Sequence, residues 1–584
     1  MNTRFTRLWL GGVAALSAIV LVGTQVPTAS AGSPAAKHVL LISVDGLHQS
    51  DVTRCIAEHI CPTIASLAAG GTSYSHASTS EPSDSSPGVM ALFTGATPKL
   101  TGVYYDDSYD RTFYAPAAQT ASGTQNCSGP AGNEAPYFEN LDTNAPSVAN
   151  GQVGTRTILN ETVDPSQEPD AIVNGVCTPI APNNYNRTNT IMSIAHSAGM
   201  YTAWADKHPG VNAEIAGNGT PDTVNDPFNT EINADIIPHS LVDTRGRTVT
   251  FPLPNPTGDP NGFFITDKVG DTEAYDQIKV DAILNQIDGH NSANTGRAPV
   301  PNIFGMNFQT VSVGQKLVDP QLSCPRSNNA PSCDPSYLPG GYVPGTLAFT
   351  PQMTGAIEWV DAALASMVQE LKVRGVFNST EIILTAKHGQ SPIDPSKLQL
   401  IGHAESTVLS NAGIKVAQIT DDDVALIWLA DQSQTQAAVN ALNASIAAGN
   451  PAHIQYVLSG SALRAQFGNP AVDPRTPDII VQPIPGTIYS QSNAKVAEHG
   501  GFSTDDTHVA MIVFNGAKNS QNAQGDQGNH DHGNYGTTVN APVDTGQVAP
   551  TILQALGLNY GRLDGVRIQH TQVLPGLGSG SNSH

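Results

Sequence analysis

An α/β architecture built on a largely parallel central sheet flanked by helices is what this chain of 584 residues predicts. Three observations carry the expectation: short apolar runs of strand length, segments of helical spacing between them, and an acid or a histidine just beyond the ends of two of the runs. His38 to Val44 is a continuous apolar-rich run ending at Asp45-Gly46. It reads as a buried parallel strand with a carboxylate at its carboxyl end. Glu381 to Thr385 is a second such run, followed by Ala386-Lys387-His388-Gly389. In open parallel sheets ligands sit at the carboxyl ends of the strands, which is where Asp45 and His388 fall.

The other elements follow in order. Pro62 to Ala69 predicts a short helix, with Pro near its start and Gly70-Gly71 at its stop. Ser85 to Thr94 turns apolar after a Ser/Pro-rich approach, as a helix N-terminus does. Thr190 to Ala198 has helical spacing through Ile191, Ile194, Ala195 and Ala198, and Met200 to Ala205 reads as the strand after it. Asn302 to Phe308 predicts a strand. Met353 to Arg374 carries Ile357, Val360, Leu364, Met367, Val368 and Leu371 on one side, with Gly375 as its stop. Val424 to Leu429, Asp478 to Val481 and His508 to Phe514 are further strand candidates, and Val548 to Leu556 a closing helix. Two stretches, about 104–186 and 207–298, are rich in Gly, Pro and polar residues. They read as loop-rich insertions, the first tied by disulfide, the second able to cap a site.

The first residues have the layout of an export signal: Arg4 and Arg7, an apolar run from Leu8 to Gly23, then Ala29-Ser30-Ala31. Cleavage after Ala31 places 1–31 as a signal peptide and the mature chain outside the cell, with no stable membrane insertion. A hydrolase domain is then expected over 38–574, with 575–584 as a flexible tail. Six cysteines suit that compartment. Nearness pairs Cys55 with Cys61, Cys324 with Cys333, and Cys127 with Cys177, though other pairings remain open. The formal charge of −23 argues against a nucleic-acid polymer as partner. A small phosphate substrate stays compatible, because a local field can differ from the net one.

The stretch His38-Val39-Leu40-Leu41-Ile42-Ser43-Val44-Asp45-Gly46 resembles the opening strand of the alkaline-phosphatase superfamily. More narrowly it resembles the type I phosphodiesterases, or nucleotide pyrophosphatases, in which the strand-end Asp binds metal. Pro82-Ser83-Asp84-Ser85-Ser86-Pro87-Gly88 through Thr94-Gly95 resembles the family's nucleophile segment. The resemblance makes Ser85 the nucleophile, and a helix N-terminus beside a dication would favour its alkoxide. Ala386-Lys387-His388-Gly389 is similar to the family's Asp-His-Gly, and Glu498-His499-Gly500-Gly501 to its later His-Gly. Asp544 to Thr551 with Leu556-Gly557-Leu558 is similar to the superfamily's closing helix. The implied fold is an alkaline-phosphatase-like core. The implied metal ligands are Asp45, Ser85, His388 and His499, holding a divalent metal of the zinc type.

The departures from that pattern are as informative. Lys387 stands where the family has a metal-binding Asp. Val311 and Gln315 stand where it has Asp-x-x-x-His. One ion rather than two is therefore expected, with the Lys387 ammonium supplying part of the lost positive charge as a catalytic group. The leading reading is a secreted, metal-dependent hydrolase of small phosphate esters with a serine nucleophile. Two rivals are weighed. A sulfatase shares the spacing from nucleophile to Thr-Gly but wants Arg where this chain has Val89. A non-catalytic secreted binding protein on a decayed hydrolase fold would explain Lys387, Val311 and Gln315. Asp106 and Asp107, just past the nucleophile segment, read as exposed acids. Asp505-Asp506-Thr507-His508 reads as a solvated strand edge, and Asn529-His530-Asp531-His532-Gly533 as loop.

Overall fold

In the computed structural model the described residues are 35–134, 141, 163–220, 222–229, 232, 240–250, 265–267, 269–317, 340–490, 495–516 and 536–577. The expected signal segment 1–31, the expected pairing of Cys324 with Cys333 and the stretch 529–533 lie outside them.

Twelve strands matter here: β1 (His38–Val44), β2 (Thr72–Tyr74), β3 (Ala203–Asp206), β4 (Asp226–Asn229), β5 (Ile303–Phe308), β6 (Thr380–Thr385), β7 (Val416–Asp421), β8 (Ala425–Leu429), β9 (Ile454–Leu458), β10 (Ile479–Pro483), β11 (Met511–Asn515) and β12 (Thr537–Val539). The main sheet has 8 strands in the order β12-β2-β11-β6-β1-β5-β3-β4. β1 lies at its centre, parallel to β5 and β6. β5 continues parallel to β3, and β3 to β4. Only β11 runs against its neighbours, β6 and β2. A largely parallel sheet flanked by helices is thus what forms, and the runs ending at Val44, Phe308 and Thr385 stop where the sequence places their ends.

The period of two along β1 divides the core. Leu40, Ile42 and Val44 enter one apolar cluster, and Val39 and Leu41 enter the other. Helix α1 (Ser85–Thr94) and α2 (Pro209–Ala216) pack on the second face, together with the closing helix Val548–Ala555. The first face is covered by α3 (Val269–Ile287), the short α4 (Thr310–Lys316) and α5 (Pro351–Val373). In α5 the predicted Ile357, Val360, Leu364, Met367 and Leu371 are buried, joined by Met353, while Val368 of the predicted stripe is only partly buried. Gly375 ends the segment at φ +71°.

α3 is a correction to the sequence reading, which placed 207–298 among loops. Its 19 residues include buried Asp271, Asp276, Lys279 and Asp281, so no polar face marks it as amphipathic. Two of these charges, Lys279 and Asp276, are held at the end of the sheet. Lys279 Nζ lies 2.9 Å from Asp276 Oδ1 and donates to Asn307 O at 2.6 Å. Asp276 Oδ2 accepts from the backbone N–H groups of Gln309 and Thr310, at 2.8 and 2.9 Å. The helix therefore holds the carboxyl end of β5 in place.

A second sheet of 4 strands, β7-β8-β10-β9, is antiparallel and carries α6 (Ala404–Asn411) and α7 (Thr435–Ala447) on its own apolar cluster. Disulfides join Cys55 to Cys61 and Cys127 to Cys177, as nearness suggests. The C-terminal tail starts packed: Tyr74 Oη donates to Pro575 O at 2.8 Å. No helix among the described residues is long and apolar enough to cross a membrane.

Candidate functional site

Four neighbouring strands bring polar side chains to one end of the sheet. Asp45 follows β1, Asp206 ends β3, Asn307 and Gln309 lie at the end of β5, and Lys387 and His388 follow β6. Asp45 turns the chain through Gly46, whose φ of +79° favours glycine, and a Cβ there would meet Gln315 Oε1 at 2.3 Å. Asp45 is 1% exposed. Its Oδ2 accepts from Asn307 Nδ2 at 3.0 Å and from Gln309 Nε2. The same oxygen lies 3.5 Å from Lys387 Nζ and 3.6 Å from His388 Nε2. Burial opposes the charge on Asp45, but Lys387 and then His388 hold its carboxyl well below the usual carboxylate range. Its Oδ1 is buried without a hydrogen-bond partner.

Ser85 is the first residue of α1. The preceding Asp84 caps the helix, its Oδ2 accepting from the Ser86 N–H at 3.1 Å and from the Asp106 N–H at 2.9 Å. Gly88 lets α1 reach the site, since a Cβ there would lie 2.3 Å from Lys387 O. Thr79 Oγ1 donates to that same carbonyl. Ser85 Oγ then stands 3.4 Å from His388 Nε2 and accepts from Lys207 Nζ at 3.4 Å. His388 Nδ1 lies 2.9 Å from Gly389 O, an acceptor that requires a proton on Nδ1, and its Nε2 faces Ser85 and Asp45.

His499 completes the group from another loop. Its ring lies against that of His388, with centroids 4.0 Å apart, and its Nδ1 is 3.4 Å from Asp84 Oδ1. Burial first, then the neighbouring His388, keeps its pKa well below the usual histidine range, so it is neutral. The loop is seated by the Ser83 to Gly500 bridge. Tyr105 Oη lies 3.1 Å from His499 O and 3.0 Å from Asp422 Oδ2.

Asp45, Ser85 and His388 thus meet at one point, with His499 stacked beside them. Lys387 is fully buried, and its Nζ sits 3.5 Å from Asp45 Oδ2 and 3.7 Å from Asp206 Oδ1. It neutralises two carboxylates behind Ser85 and makes no hydrogen bond to the hydroxyl. The cation that does so is Lys207, which the sequence reading passed over. Asp206, Asn307 and Gln309 were also missed, although a strand candidate followed by Asp-Lys-His-Pro-Gly at 206–210 carries the same strand-end signal as Asp45.

The donor set fits one dication. Asp45 offers a buried unpartnered oxygen, His388 its Nε2, and Ser85 its Oγ 3.4 Å from that nitrogen. Two positions where the family pattern has ligands for a second ion lack such donors. Val311 is buried in the apolar core. Gln315 turns its amide away, donating to Gly46 O at 2.7 Å and Tyr342 Oη at 3.2 Å.

Two further expectations change. Asp506 is buried, on the short helix Thr504–Thr507 rather than a strand edge, and accepts from Ser503 Oγ at 2.6 Å. Asp106 and Asp107 are half-buried, and Asp107 O accepts from Thr420 Oγ1 at 2.7 Å.

The model of the family described as type I phosphodiesterase / nucleotide pyrophosphatase matches residues 39–247 and 341–510. Among solved structures, wild-type alkaline phosphatase PafA is similar at 12% identity and a TM-score of 0.51, over 91% of this chain and 97% of that one. Murine ectonucleotide pyrophosphatase/phosphodiesterase 5 overlaps 89% of this chain and 95% of that chain, at 13% identity and a TM-score of 0.47. The likeness to PafA bears on the fold alone. No curated protein matches the chain.

Proposed function

The chain belongs to the type I phosphodiesterase / nucleotide pyrophosphatase family, and from that premise we propose that it is a secreted, metal-dependent hydrolase of small phosphate esters that uses Ser85 as its nucleophile. The observation that carries this reading is the position of Ser85 Oγ. It sits at the first turn of α1, 3.4 Å from both His388 Nε2 and the Lys207 ammonium.

Asp45, Ser85 and His388 would hold a single zinc-type ion. Bound there, such an ion supplies Lewis-acid stabilisation of the serine alkoxide and of phosphoryl oxygens. The chain's own groups do the rest. Lys207 and the α1 N-terminus favour the deprotonated hydroxyl. With its proton released to solvent, the Ser85 oxygen attacks phosphorus in line, its Oγ–P bond forms, and the bond from phosphorus to the leaving alcohol breaks. The departing alkoxide takes a proton from water. A water molecule then attacks the phosphoseryl group and returns the serine. Asn307 and Gln309 orient Asp45, and neutral His499 faces the substrate side as a hydrogen-bonding group. Lys387 keeps Asp45 and Asp206 together without a second ion.

Secretion rests on the signal-like segment 1–31 and agrees with the two disulfides. The insertions at about 104–186 and 207–298 are proposed to shape access to the site. The decisive experiment compares wild type with Ser85→Ala on a nitrophenyl phosphodiester and on the matching sulfate ester. Phosphodiester turnover should fall by on the order of 10³-fold or more, with the thermal transition unchanged. Wild-type turnover in the alanine variant eliminates the reading. Preference for the sulfate would move the assignment to the sulfatases.

A further inference from the structure

Away from the ends of the main sheet, the 4-stranded sheet carries a second group of ligand-type side chains. His403 precedes α6, Glu405 lies in its first turn, and Asp421 ends β7. One donor atom from each lies within 4.8 Å of the others. His403 Nδ1 is 2.7 Å from Asp421 Oδ2.

The group is not explained by solvated acids at a helix end. Glu405 is 0% exposed, and neither of its carboxyl oxygens has a hydrogen-bond partner. Asp421 is 9% exposed and faces it. Two carboxyl groups brought together in a dry place repel unless a cation stands between them. The alternatives for the space are therefore a shared proton or a metal ion, and the imidazole aimed into the same space favours the metal.

We propose that His403, Glu405 and Asp421 form a divalent-cation site of the zinc type, separate from the candidate catalytic centre. One imidazole nitrogen and two carboxylates suit a borderline ion at roughly 2.0–2.2 Å from each donor. Calcium would call for six or more oxygens. The half-exposed His403 leaves one face open, so water completes the shell. The ion pins α6 to the turn after β7. That turn leads through Asp422 to Tyr105 and the His499 loop, because Tyr105 Oη reaches both Asp422 Oδ2 and His499 O. The site is placed to stiffen one wall of the candidate active centre.

The test uses the full chain carrying Asp45→Asn and His388→Ala, which removes the catalytic donors, stripped of metal and then titrated with Zn²⁺ against a chromophoric chelator. We expect one ion per chain to be retained. His403→Ala in that background should weaken it by at least about tenfold, because a whole ligand is lost. His403 is 59% exposed, so the variant keeps its fold. Glu405→Gln should act in the same direction, and Co²⁺ in place of Zn²⁺ should give visible absorption that His403→Ala abolishes. Absence of a retained ion overturns the proposal. So does an ion whose affinity His403→Ala leaves unchanged, which would place it elsewhere in the chain.

Discussion

The ammonium of Lys207 stands 3.4 Å from the hydroxyl oxygen of Ser85. Lys207 follows Asp206 at the end of β3, and the Lys207 N–H donates to Asp206 Oδ1 at 2.8 Å. That arrangement aims a fixed positive charge at the oxygen that would attack phosphorus. Lys207→Ala should lower kcat on a phosphodiester by about 10- to 10³-fold, as loss of one charge-stabilising group does. Lys207→Arg should restore part of it. A variant with unchanged kcat but altered thermal stability would assign Lys207 a structural role only.

Lys387 has a different part. It is the cation shared by the buried carboxylates of Asp45 and Asp206. Removing one partner of such a group leaves uncompensated charge. Lys387→Ala should destabilise the chain by about 3–5 kcal/mol in denaturant unfolding. Its loss of activity should track that loss of stability. A variant as stable as wild type would show that Asp45 and Asp206 need no cation between them.

The strand ends were the most legible part of the site. Asp45 and His388 each follow a continuous apolar run, and Ser85 opens a helix after a Ser/Pro-rich approach, so local pattern alone places them. Lys207 is different: its role depends on β3 lying two places from β1 with β5 between them, which no local pattern announces. α3 was hidden for another reason. Asp276 and Lys279 are polar residues inside the core, and a pattern of burial cannot be read from residues that are polar and buried together. Lys387 stands out in the sequence as a departure from the family pattern, but its direction, toward Asp206, comes from a residue far away in sequence.

The two described disulfides should respond differently to reductant. Cys55 and Cys61 are fully buried, whereas Cys127 and Cys177 are half-buried. Dithiothreitol under native conditions should open Cys127–Cys177 first, as read by mass mapping of alkylated thiols. The separation of 50 residues makes that bond the larger constraint on the unfolded chain, about 4 kcal/mol by loop entropy against about 2 kcal/mol for the separation of 6. The thermal transition should fall with the opening of Cys127–Cys177. An unshifted transition after its complete reduction would count against the constraint.

Glu214 gives the clearest dependence on pH. It lies in α2, is 0% exposed, and neither carboxyl oxygen has a hydrogen-bond partner. Burial pushes its carboxyl up to about 8, with the Asp84 carboxylate adding to the rise and the Arg475 guanidinium opposing it. In the unfolded chain a glutamate titrates near about 4.3. Between those two values the folded chain holds a proton that the unfolded chain has lost. Stability from this group is therefore fully present below about pH 4 and is lost as pH rises toward about 8, at no more than about 1.4 kcal/mol per pH unit. Glu214→Gln keeps the shape of the neutral acid and does not titrate. Its unfolding free energy from denaturant titration should gain on wild type from pH 5 to about pH 8, by on the order of a few kcal/mol at the upper end. A gap that stays constant across that range would mean that Glu214 is ionised in the folded protein throughout.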